Sequence, residues 1–226
     1  MSKKMFAGSG LFRIDFDRQK KLIRLNFSGN DEDNTCFRND ASILFFVSNS
    51  YCNAYHCLER ELKSRFENNT IKDIGHIILP YFFNFRHFVE LELKALIVAI
   101  TNQSPKLTHD LDTLLVQVEN AMNEITFESI ENRFPPITEE GFNKSKSEAQ
   151  VLLVKIKKLM DQYVSTEYAV EYYRYIFEND KGSLILNNPT IELDFENTRC
   201  LFQSIVDTFG ELRMKLREII YIQSSF

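Results

Sequence analysis

The chain has 226 residues, a formal net charge of −5, and 44% hydrophobic and 26% charged residues, which is the composition of an ordinary folded domain. Glycine (7) and proline (5) are scarce, so the composition disfavours a β-sandwich rich in tight turns and favours long helices. The acidic balance argues against bulk nucleic-acid binding, which depends on Lys and Arg neutralising phosphates, but it leaves a local basic site open.

Cysteine usage and apolar stretches bear on the compartment. The cysteines at positions 36, 52, 57 and 200 form no regular framework, and the first residues do not read as a secretory leader. We therefore expect reduced thiols and a cytoplasmic protein. The most apolar stretches, 41–47 and 71–100, are broken by polar residues, so we expect no membrane partner.

The first forty residues predict a β-hairpin and a loop. Residues 11–17 and 22–27 alternate apolar and polar residues on either side of a polar connector, which is typical of two paired strands. The residues available for a buried face are Leu11, Ile14 or Phe16 and Leu22, Leu25 or Phe27. We expect residues 1–40 to form an appendage to a helical domain over 41–226.

From residue 41 onward the apolar residues recur at steps of three and four, which predicts helices. The first helix is expected over 41–66, with Asp40 as its N-cap. Its predicted inward face is Ile43, Phe46, Val47, Ser50, Tyr51, Ala54, Cys57, Leu58, Glu61 and Leu62. Next comes a nearly all-apolar central helix, which Pro80 should restart at residue 80 or 81 and which should end near 101.

Three more helices are predicted. The third runs from its N-cap Thr108 to about 127, the fourth from within 138–148 to about 164, and the last from Glu196 to about 222. The third should bury Leu111, Leu114, Leu115, Val118, Ala121, Met122 and Ile125, the fourth Val151, Leu152, Val154, Ile156, Leu159 and Met160, and the last Leu201, Ile205, Phe209, Leu212, Leu216 and Ile220. Short strands are expected over 183–186 and 190–195. The predicted fold class is mainly α: an antiparallel helical bundle with an N-terminal β-hairpin and a small late β element.

The central helix carries one stripe of ionisable residues. Arg86, Glu90 and Lys94 are four residues apart and share a face, with His87 beside them. Charges in an apolar helix are costly unless they are paired or used. Either Arg86 and Lys94 hold a phosphate while His87 or His109 moves a proton, or the stripe is an ion-pair ladder that fixes the helix to its neighbours.

Two further candidates lie beyond this stripe. His109 and Asp110 stand at a helix start, where free amides favour an anion; the alternative is that Thr108 and Asp110 only cap the helix. The length of the connector places His109 closer to Lys94 than to Arg86. Arg174, among tyrosines, either binds a ligand or pins the late strand to the bundle.

Metal and cofactor sites are not expected. Cys52 and His56 share a helix face and Cys57 follows them, but no second Cys/His pair has usable spacing, so buried thiols are preferred. The GxxxxGK[ST], GxGxxG, GxSxG and HExxH motifs are absent from the sequence, which argues against those enzyme classes.

The segments RHFVELELKALI (86–97) and LTHDLDTLL (107–115) resemble the HEPN superfamily, small helical-bundle domains of bacterial toxin–antitoxin and abortive-infection systems. Many members carry an Arg-His…Glu-Leu-x-Leu-Lys helix followed by a His-Asp-Leu…Leu helix, and EYYRYIFENDKG (171–182) is similar to an Arg-Tyr segment in some of them. The resemblance spans roughly residues 72–222. It carries over Arg86, His87, Glu90, Lys94, His109, Asp110, Leu111 and Arg174.

The resemblance does not carry over the family's usual nuclease pair. HEPN ribonucleases typically place Arg-x4–6-His in a late helix, where the two residues cleave RNA without a metal, usually across a dimer. None of the histidines at 56, 76, 87 and 109 has an arginine five to seven positions before it. The resemblance therefore implies the fold and a defence context more than nuclease activity.

Three functions remain open. The first is a HEPN-like protein of antiviral defence or a toxin–antitoxin system, a homodimer by default, that binds RNA, a nucleotide or a partner protein through Arg86, His109 and Arg174. The second is a metal-independent ribonuclease with His87 or His109 as general base and Arg86 or Lys94 stabilising the phosphorane. The third is a non-catalytic structural or oligomerisation module.

Overall fold

The computed structural model describes residues 12–17, 22–27, 36–68, 70, 74–130, 137–174 and 193–220, and it gives side-chain surroundings for 41–68, 70, 74–130, 137–163 and 193–220. Within these ranges the helices are α1 (Cys36–Glu67), α2 (Gly75–Thr101), α3 (Leu111–Glu124), α4 (Glu139–Arg174) and α5 (Phe195–Ile219), with a 3₁₀ turn at Glu128–Ile130. The prediction of a mainly helical protein is confirmed.

Two strands precede the helices. β1 (Phe12–Asp17) and β2 (Leu22–Phe27) pair antiparallel. The buried face predicted for this hairpin stays a prediction, because its side chains lie outside the described part, and so does the division at residue 40. The predicted late strands fall mostly outside the described residues as well, but Asp194 caps α5 and Phe195 begins it.

The helices pack as two antiparallel pairs. In the first pair, Tyr55 of α1 contacts Phe85 of α2, and Ser48 contacts Glu92. The two helices therefore run in opposite directions. In the second pair, Tyr163 of α4 meets Phe202 of α5, and Ser145 meets Glu218 at the other end. Helix α3 connects the two pairs.

An aromatic cluster joins the pairs, and Phe202 of α5 is its centre. The Phe202 ring stacks on Phe85 of α2 with 3.6 Å between centroids and 5° between planes. It also contacts Tyr55 of α1, Tyr81 of α2 and Tyr163 of α4 at 5.3 to 6.2 Å. One phenylalanine therefore touches three other helices, and aromatic pairing adds to the burial of apolar area.

Helix α1 differs from its prediction in its start and in its buried face. It begins at Cys36, so Asp40 lies inside the helix and its assignment as the N-cap is wrong. Of the predicted inward face, Ile43, Ser50, Cys57 and Glu61 are exposed. Leu62 is buried as predicted, and the other buried residues are Ala41, Ser42, Phe45, Ser48 and Tyr55. Helix α1 has apolar residues on two faces, so their spacing alone does not identify the buried one.

Helix α2 runs unbroken through Pro80, so the predicted restart at residue 80 or 81 is wrong. A proline in the second turn removes only one helical hydrogen bond, to the carbonyl of His76. That residue is exposed, so water can replace the missing donor. The side chain of Asn84 donates to the Pro80 carbonyl at 2.7 Å.

The later helices mix confirmed and wrong expectations. All seven residues predicted to face inward from α3 are buried. Helix α4 continues past residue 164 through the tyrosine-rich segment to Arg174. Val151 and Val154, expected to pack, are 66% and 54% exposed, while their neighbour Leu153 is buried. Of the residues predicted to pack from α5, four are buried, namely Ile205, Phe209, Leu212 and Leu216.

Candidate functional site

The ionisable stripe of α2 converges on the carboxylate of Glu90. This residue is 4% exposed, and its Oε1 accepts hydrogen bonds from Lys94 Nζ at 2.7 Å and from His109 Nδ1 at 2.9 Å. Its Oε2 accepts a longer bond from Arg86 Nη1, at 3.4 Å. One buried carboxylate therefore holds three basic side chains, two from its own helix and one from the segment that leads into α3. We call these four residues the Glu90 cluster.

Arg86 also holds the backbone that carries His109. Its Nη2 donates to the carbonyl oxygen of His109 at 2.8 Å. Further back in the same segment, the amide of Lys106 donates to the side chain of Gln117 in α3 at 3.2 Å. The connector length predicted that Lys94 would be the nearer neighbour of His109, whereas the structure gives Arg86 a direct contact.

The geometry sets the protonation states of the cluster. Burial by itself raises the pKa of Glu90, but the hydrogen bonds and charges of Lys94 and His109 outweigh it and hold that pKa below its usual range. Glu90 is therefore ionised at neutral pH, and an ionised carboxylate only accepts hydrogen bonds. Nδ1 of His109 consequently carries a proton, which leaves Nε2 as the nitrogen that a ligand can use.

The members of the cluster differ sharply in exposure. The side chain of His109 is 78% exposed, whereas those of Arg86 and Lys94 are 12% and 17% exposed. The side chains of Arg86 and Lys94 are mostly buried and contact Glu90. An exposed imidazole whose orientation is fixed by a buried carboxylate can bind an anion or exchange a proton.

His87 does not join the Glu90 cluster. Its Nδ1 donates to the carbonyl of Phe83 at 3.2 Å, and its ring lies 4.1 Å from the Phe83 ring and 5.2 Å from Tyr51 of α1. The two histidines proposed from the sequence therefore have different neighbours, His87 on the α1 side of α2 and His109 on the α3 side.

Asp110 also stands apart from it. Asp110 is the N-cap of α3: its side chain accepts from the amide of Thr113 at 3.2 Å and from the hydroxyl of the same residue. The prediction of Thr108 as the N-cap is therefore wrong. Its hydroxyl instead accepts from the amide of Asp110 at 3.1 Å. Arg174 is the last residue of α4, and its side chain lies outside the described part of the chain.

A second buried carboxylate, Glu92, points from α2 toward α1 and α5. It is fully buried, and its Oε1 accepts from the Ser48 hydroxyl at 2.5 Å. Arg213 Nε lies 3.2 Å from Oε2, close enough for an ion pair but not aligned as a hydrogen bond. The guanidinium also donates to Asn49 and lies 5.2 Å from the Phe45 ring.

This second centre has the opposite electrostatic balance. Burial raises the pKa of Glu92 to about 6, although Arg213 and Ser48 act against it. Burial, with a contribution from Glu92, also raises the pKa of the Cys52 thiol to about 11, which makes it an inert thiol. Neither Glu92 nor Arg213 is among the site residues predicted from the sequence. The available signal was a second acid in the most apolar helix, two residues from Glu90 and so on a different face.

Metal binding and membrane crossing find no support in the described residues. Within them, no group of three His, Cys, Asp or Glu side chains is placed to hold a metal ion. His56, which shares a face with Cys52, lies 3.4 Å from Glu59 through its Nδ1. In the same part of the chain, no helix is long and apolar enough to cross a bilayer.

Comparisons with known proteins add no family to this description. No protein-family model, curated protein or solved structure matches the chain. The fold and site define a mainly helical protein in which a buried ion-pair cluster presents one histidine to solvent. The HEPN resemblance stays a hypothesis.

Proposed function

We propose that this chain is a HEPN-like helical protein of a bacterial defence or toxin–antitoxin system, and that it binds RNA or a nucleotide at the surface around His109. The observation that carries the proposal is an exposed histidine ring held by a buried, ionised glutamate. Burying a carboxylate costs free energy unless it is paired and hydrogen-bonded. Here that cost is offset by contacts that also fix the orientation of the ring.

The charge of the cluster favours an anionic ligand. Three of the four residues of the Glu90 cluster are basic: Arg86, Lys94 and His109. The carboxylate of Asp110, next to His109 in sequence, accepts from the start of α3, where the helix dipole offsets part of its charge. A local group of basic side chains can attract phosphates even on an acidic protein.

The defence context rests on the resemblance alone. Residues from the two resembling segments contact one another: Arg86, Glu90 and Lys94 come from the first, and His109 from the second. We also propose a cytoplasmic homodimer, because the cysteine usage favours a reduced compartment and symmetric dimers are the default for such bundles. A partner protein, such as an antitoxin, is the alternative ligand for this surface.

A metal-independent ribonuclease is the second candidate function. It is favoured by His109, whose Nε2 is available on an exposed ring that a carboxylate orients, as a general base requires. His87 lies against Tyr51, and its Nδ1 donates to the carbonyl of Phe83, so the Glu90 carboxylate does not orient it. Arg86 and Lys94 are engaged with Glu90, so a phosphorane would depend on their turning outward. Binding without cleavage is therefore the function that the geometry supports better.

The test measures RNA binding and RNA cleavage by the purified full chain in EDTA. We expect wild type to bind labelled single-stranded RNA, and His109→Ala to weaken binding by about tenfold, or about 1.4 kcal/mol. Arg86→Ala should also weaken it, because the backbone of His109 loses its anchor. His76→Ala is the matched control, since His76 is an exposed histidine in the first turn of α2.

A further variant separates binding from catalysis. His109→Asn keeps a side-chain donor for Glu90 but has no Nε2. Binding by wild type without cleavage supports the binding function, whereas cleavage that His109→Asn abolishes supports the ribonuclease. If wild type neither binds nor cleaves RNA or a nucleotide, both nucleic-acid functions are rejected and the structural or partner-binding alternatives remain.

A further inference from the structure

Two tyrosines with buried hydroxyls lie in the aromatic cluster around Phe202. Tyr55 of α1 and Tyr81 of α2 are each 0% exposed, their rings lie 5.5 Å apart, and both contact the Phe202 ring of α5. Within the described part of the chain, neither hydroxyl oxygen has a hydrogen-bond partner. A buried hydroxyl without a partner costs free energy that a phenylalanine at the same position does not. Since native proteins seldom leave such groups unpaired, the two hydroxyls point to a ligand.

The carboxylate of Glu59 lies near both hydroxyls. Tyr55 and Glu59 are four residues apart on α1 and therefore share one side of the helix. Burial raises the pKa of Tyr55 and of Tyr81, and among the charged groups Glu59 raises the pKa of each most strongly. The interaction between charges weakens with distance, so both hydroxyls are close to the same carboxylate. It is nevertheless not placed to accept a hydrogen bond directly from either of them.

Glu59 has acceptor capacity left. Its side chain is 14% exposed, with Oε2 3.4 Å from Nδ1 of His56 and Oε1 3.6 Å from Nη1 of Arg199. Both distances exceed that of a good N–H···O hydrogen bond, and a carboxylate offers about four acceptor positions. Two donors without an acceptor and an acceptor with spare capacity thus meet where α1, α2 and α5 join.

The chemistry of these three side chains selects a small neutral ligand that both accepts and donates. An anion is repelled by Glu59, and an apolar molecule leaves both hydroxyls unpaired. Within the described residues, no three His, Cys, Asp or Glu side chains are placed to hold a metal ion. A water molecule fits, because it can accept from Tyr55 and Tyr81 and donate to Glu59. Buried waters typically make about three hydrogen bonds to groups that lack other partners.

We propose that Tyr55, Tyr81 and Glu59 form a binding site for one ordered water molecule at the junction of α1, α2 and α5. The water accepts from the two hydroxyls and donates to the carboxylate, which in turn contacts Arg199 of α5. It therefore links the three helices beside Phe202 and offsets the cost of burying two hydroxyls among aromatic rings. The inference does not depend on the proposed RNA-binding function, because the site excludes the Glu90 cluster.

Replacing each tyrosine by phenylalanine tests the site through the sign of the stability change. A bridged hydroxyl contributes to stability, so Tyr55→Phe and Tyr81→Phe should each increase the unfolding equilibrium constant about fivefold. An unpaired hydroxyl predicts a decrease, because phenylalanine removes its cost. Tyr51→Phe is the matched control, since Tyr51 is a partly exposed tyrosine of α1, and it should leave the constant nearly unchanged. Urea unfolding of the full chain measures all three variants.

A double-mutant cycle separates a shared water from a direct contact with Glu59. When one water joins both hydroxyls, losing the first weakens its binding. Tyr55→Phe/Tyr81→Phe should therefore cost clearly less than the product of the two single effects. In Glu59→Ala the water loses its acceptor, and Tyr81→Phe should then change the unfolding constant by less than about twofold. A direct bond from one tyrosine to Glu59 instead predicts additive effects, with a loss of stability at that tyrosine alone.

A crystal structure of the full chain observes the ligand itself. We expect one water oxygen within about 2.5–3.0 Å of both hydroxyl oxygens and of one Glu59 oxygen. The proposal is overturned if either hydroxyl bonds Glu59 directly, or if no water lies between the three groups in a map that shows other buried waters. It is equally overturned if Tyr55→Phe or Tyr81→Phe is more stable than wild type.

Discussion

At the scale of single residues, two glutamates of α2 show how neighbours decide the chemistry of one residue type. Glu90 and Glu92 are two positions apart and therefore lie on different sides of the helix. Glu90 accepts from three basic groups, and two of them, Lys94 and His109, hold its pKa below the usual range despite burial. Glu92 has one cation, poorly aligned, so burial dominates and its pKa rises to about 6. The same helix thus contains two acids with opposite pH behaviour.

Ionisation of the buried Glu92 carboxyl should lower the free energy of unfolding of wild type, and replacing Glu92 should remove this pH dependence. Its folded pKa of about 6 exceeds the ordinary 4.5, so its contribution to stability is fully present below 4.5 and is lost as the pH rises through 6. That rise corresponds to about 2 kcal/mol. In urea unfolding from about pH 4 to about pH 7, the stability of Glu92→Gln relative to wild type should increase by about this amount.

Glu90→Gln is the matched control, because its pH dependence should have the opposite sign. The folded pKa of Glu90 is lowered, so its stabilisation is present above the ordinary value of 4.5 and is lost as the pH falls through the folded value. Glu90→Gln should therefore lose stability relative to wild type as the pH rises. The same sign in both variants would contradict the assigned balance of burial and charge.

At the scale of elements, the start of α3 determines where His109 stands. Asp110 fixes the first turn through Thr113, and the carbonyl of His109, one residue earlier, accepts from Arg86. The helix cap and the arginine thus hold the segment from both sides. The side chain of His109 can remain exposed and still keep one orientation, because its backbone is held.

The position of the cap can be tested by substitution. Asp110→Ala should lower the free energy of unfolding by about 1 kcal/mol, as the loss of an N-cap typically does. Thr108→Ala should cost less, because Thr108 accepts one bond from a backbone amide and does not cap the helix. Chemical denaturation compares the two, with exposed Asp112→Ala as a control for acidic charge in the first turn. A larger loss at Thr108 would show that the cap is misassigned.

At the scale of the whole molecule, aromatic packing around Phe202 joins the two helix pairs. The ring is fully buried and contacts aromatic residues of α1, α2 and α4. Helices α1 and α5 also make two contacts through arginines, Arg199 with Glu59 and Arg213 with Asn49. Apolar burial at Phe202 should therefore contribute more to stability than either of these contacts.

Phe202→Ala should lower the free energy of unfolding by about 3–5 kcal/mol, because the deletion leaves a cavity that surrounding rings can fill only in part. Phe202→Leu should cost less, since it retains most of the volume. Val154→Ala, at a residue that is 54% exposed, should change stability by no more than about 0.5 kcal/mol. Thermal or urea unfolding measures all three, and a small effect of Phe202→Ala would show that the pairs are held by other contacts.

Periodicity predicted the later helices better than the first. The inward residues of α3 follow from its spacing, because one face of that helix is apolar and the other polar. Helix α1 has apolar residues on two faces, so periodicity selected Ile43 and Val47 although Phe45 and Tyr55 are the buried ones. The continuation of α2 through Pro80 depended on local exposure, which the residue type does not give.

The sequence by itself determined the local features: the helical segments, and the stripe in which Arg86, Glu90 and Lys94 meet at a spacing of four residues. Only the tertiary structure decided that His109 completes this stripe from 19 residues away, and that Glu92 meets Arg213 of the last helix. The physical reason is range. Contacts within one helix follow from its geometry, whereas contacts between helices depend on which faces pack together, and for α1 two apolar faces competed for the core.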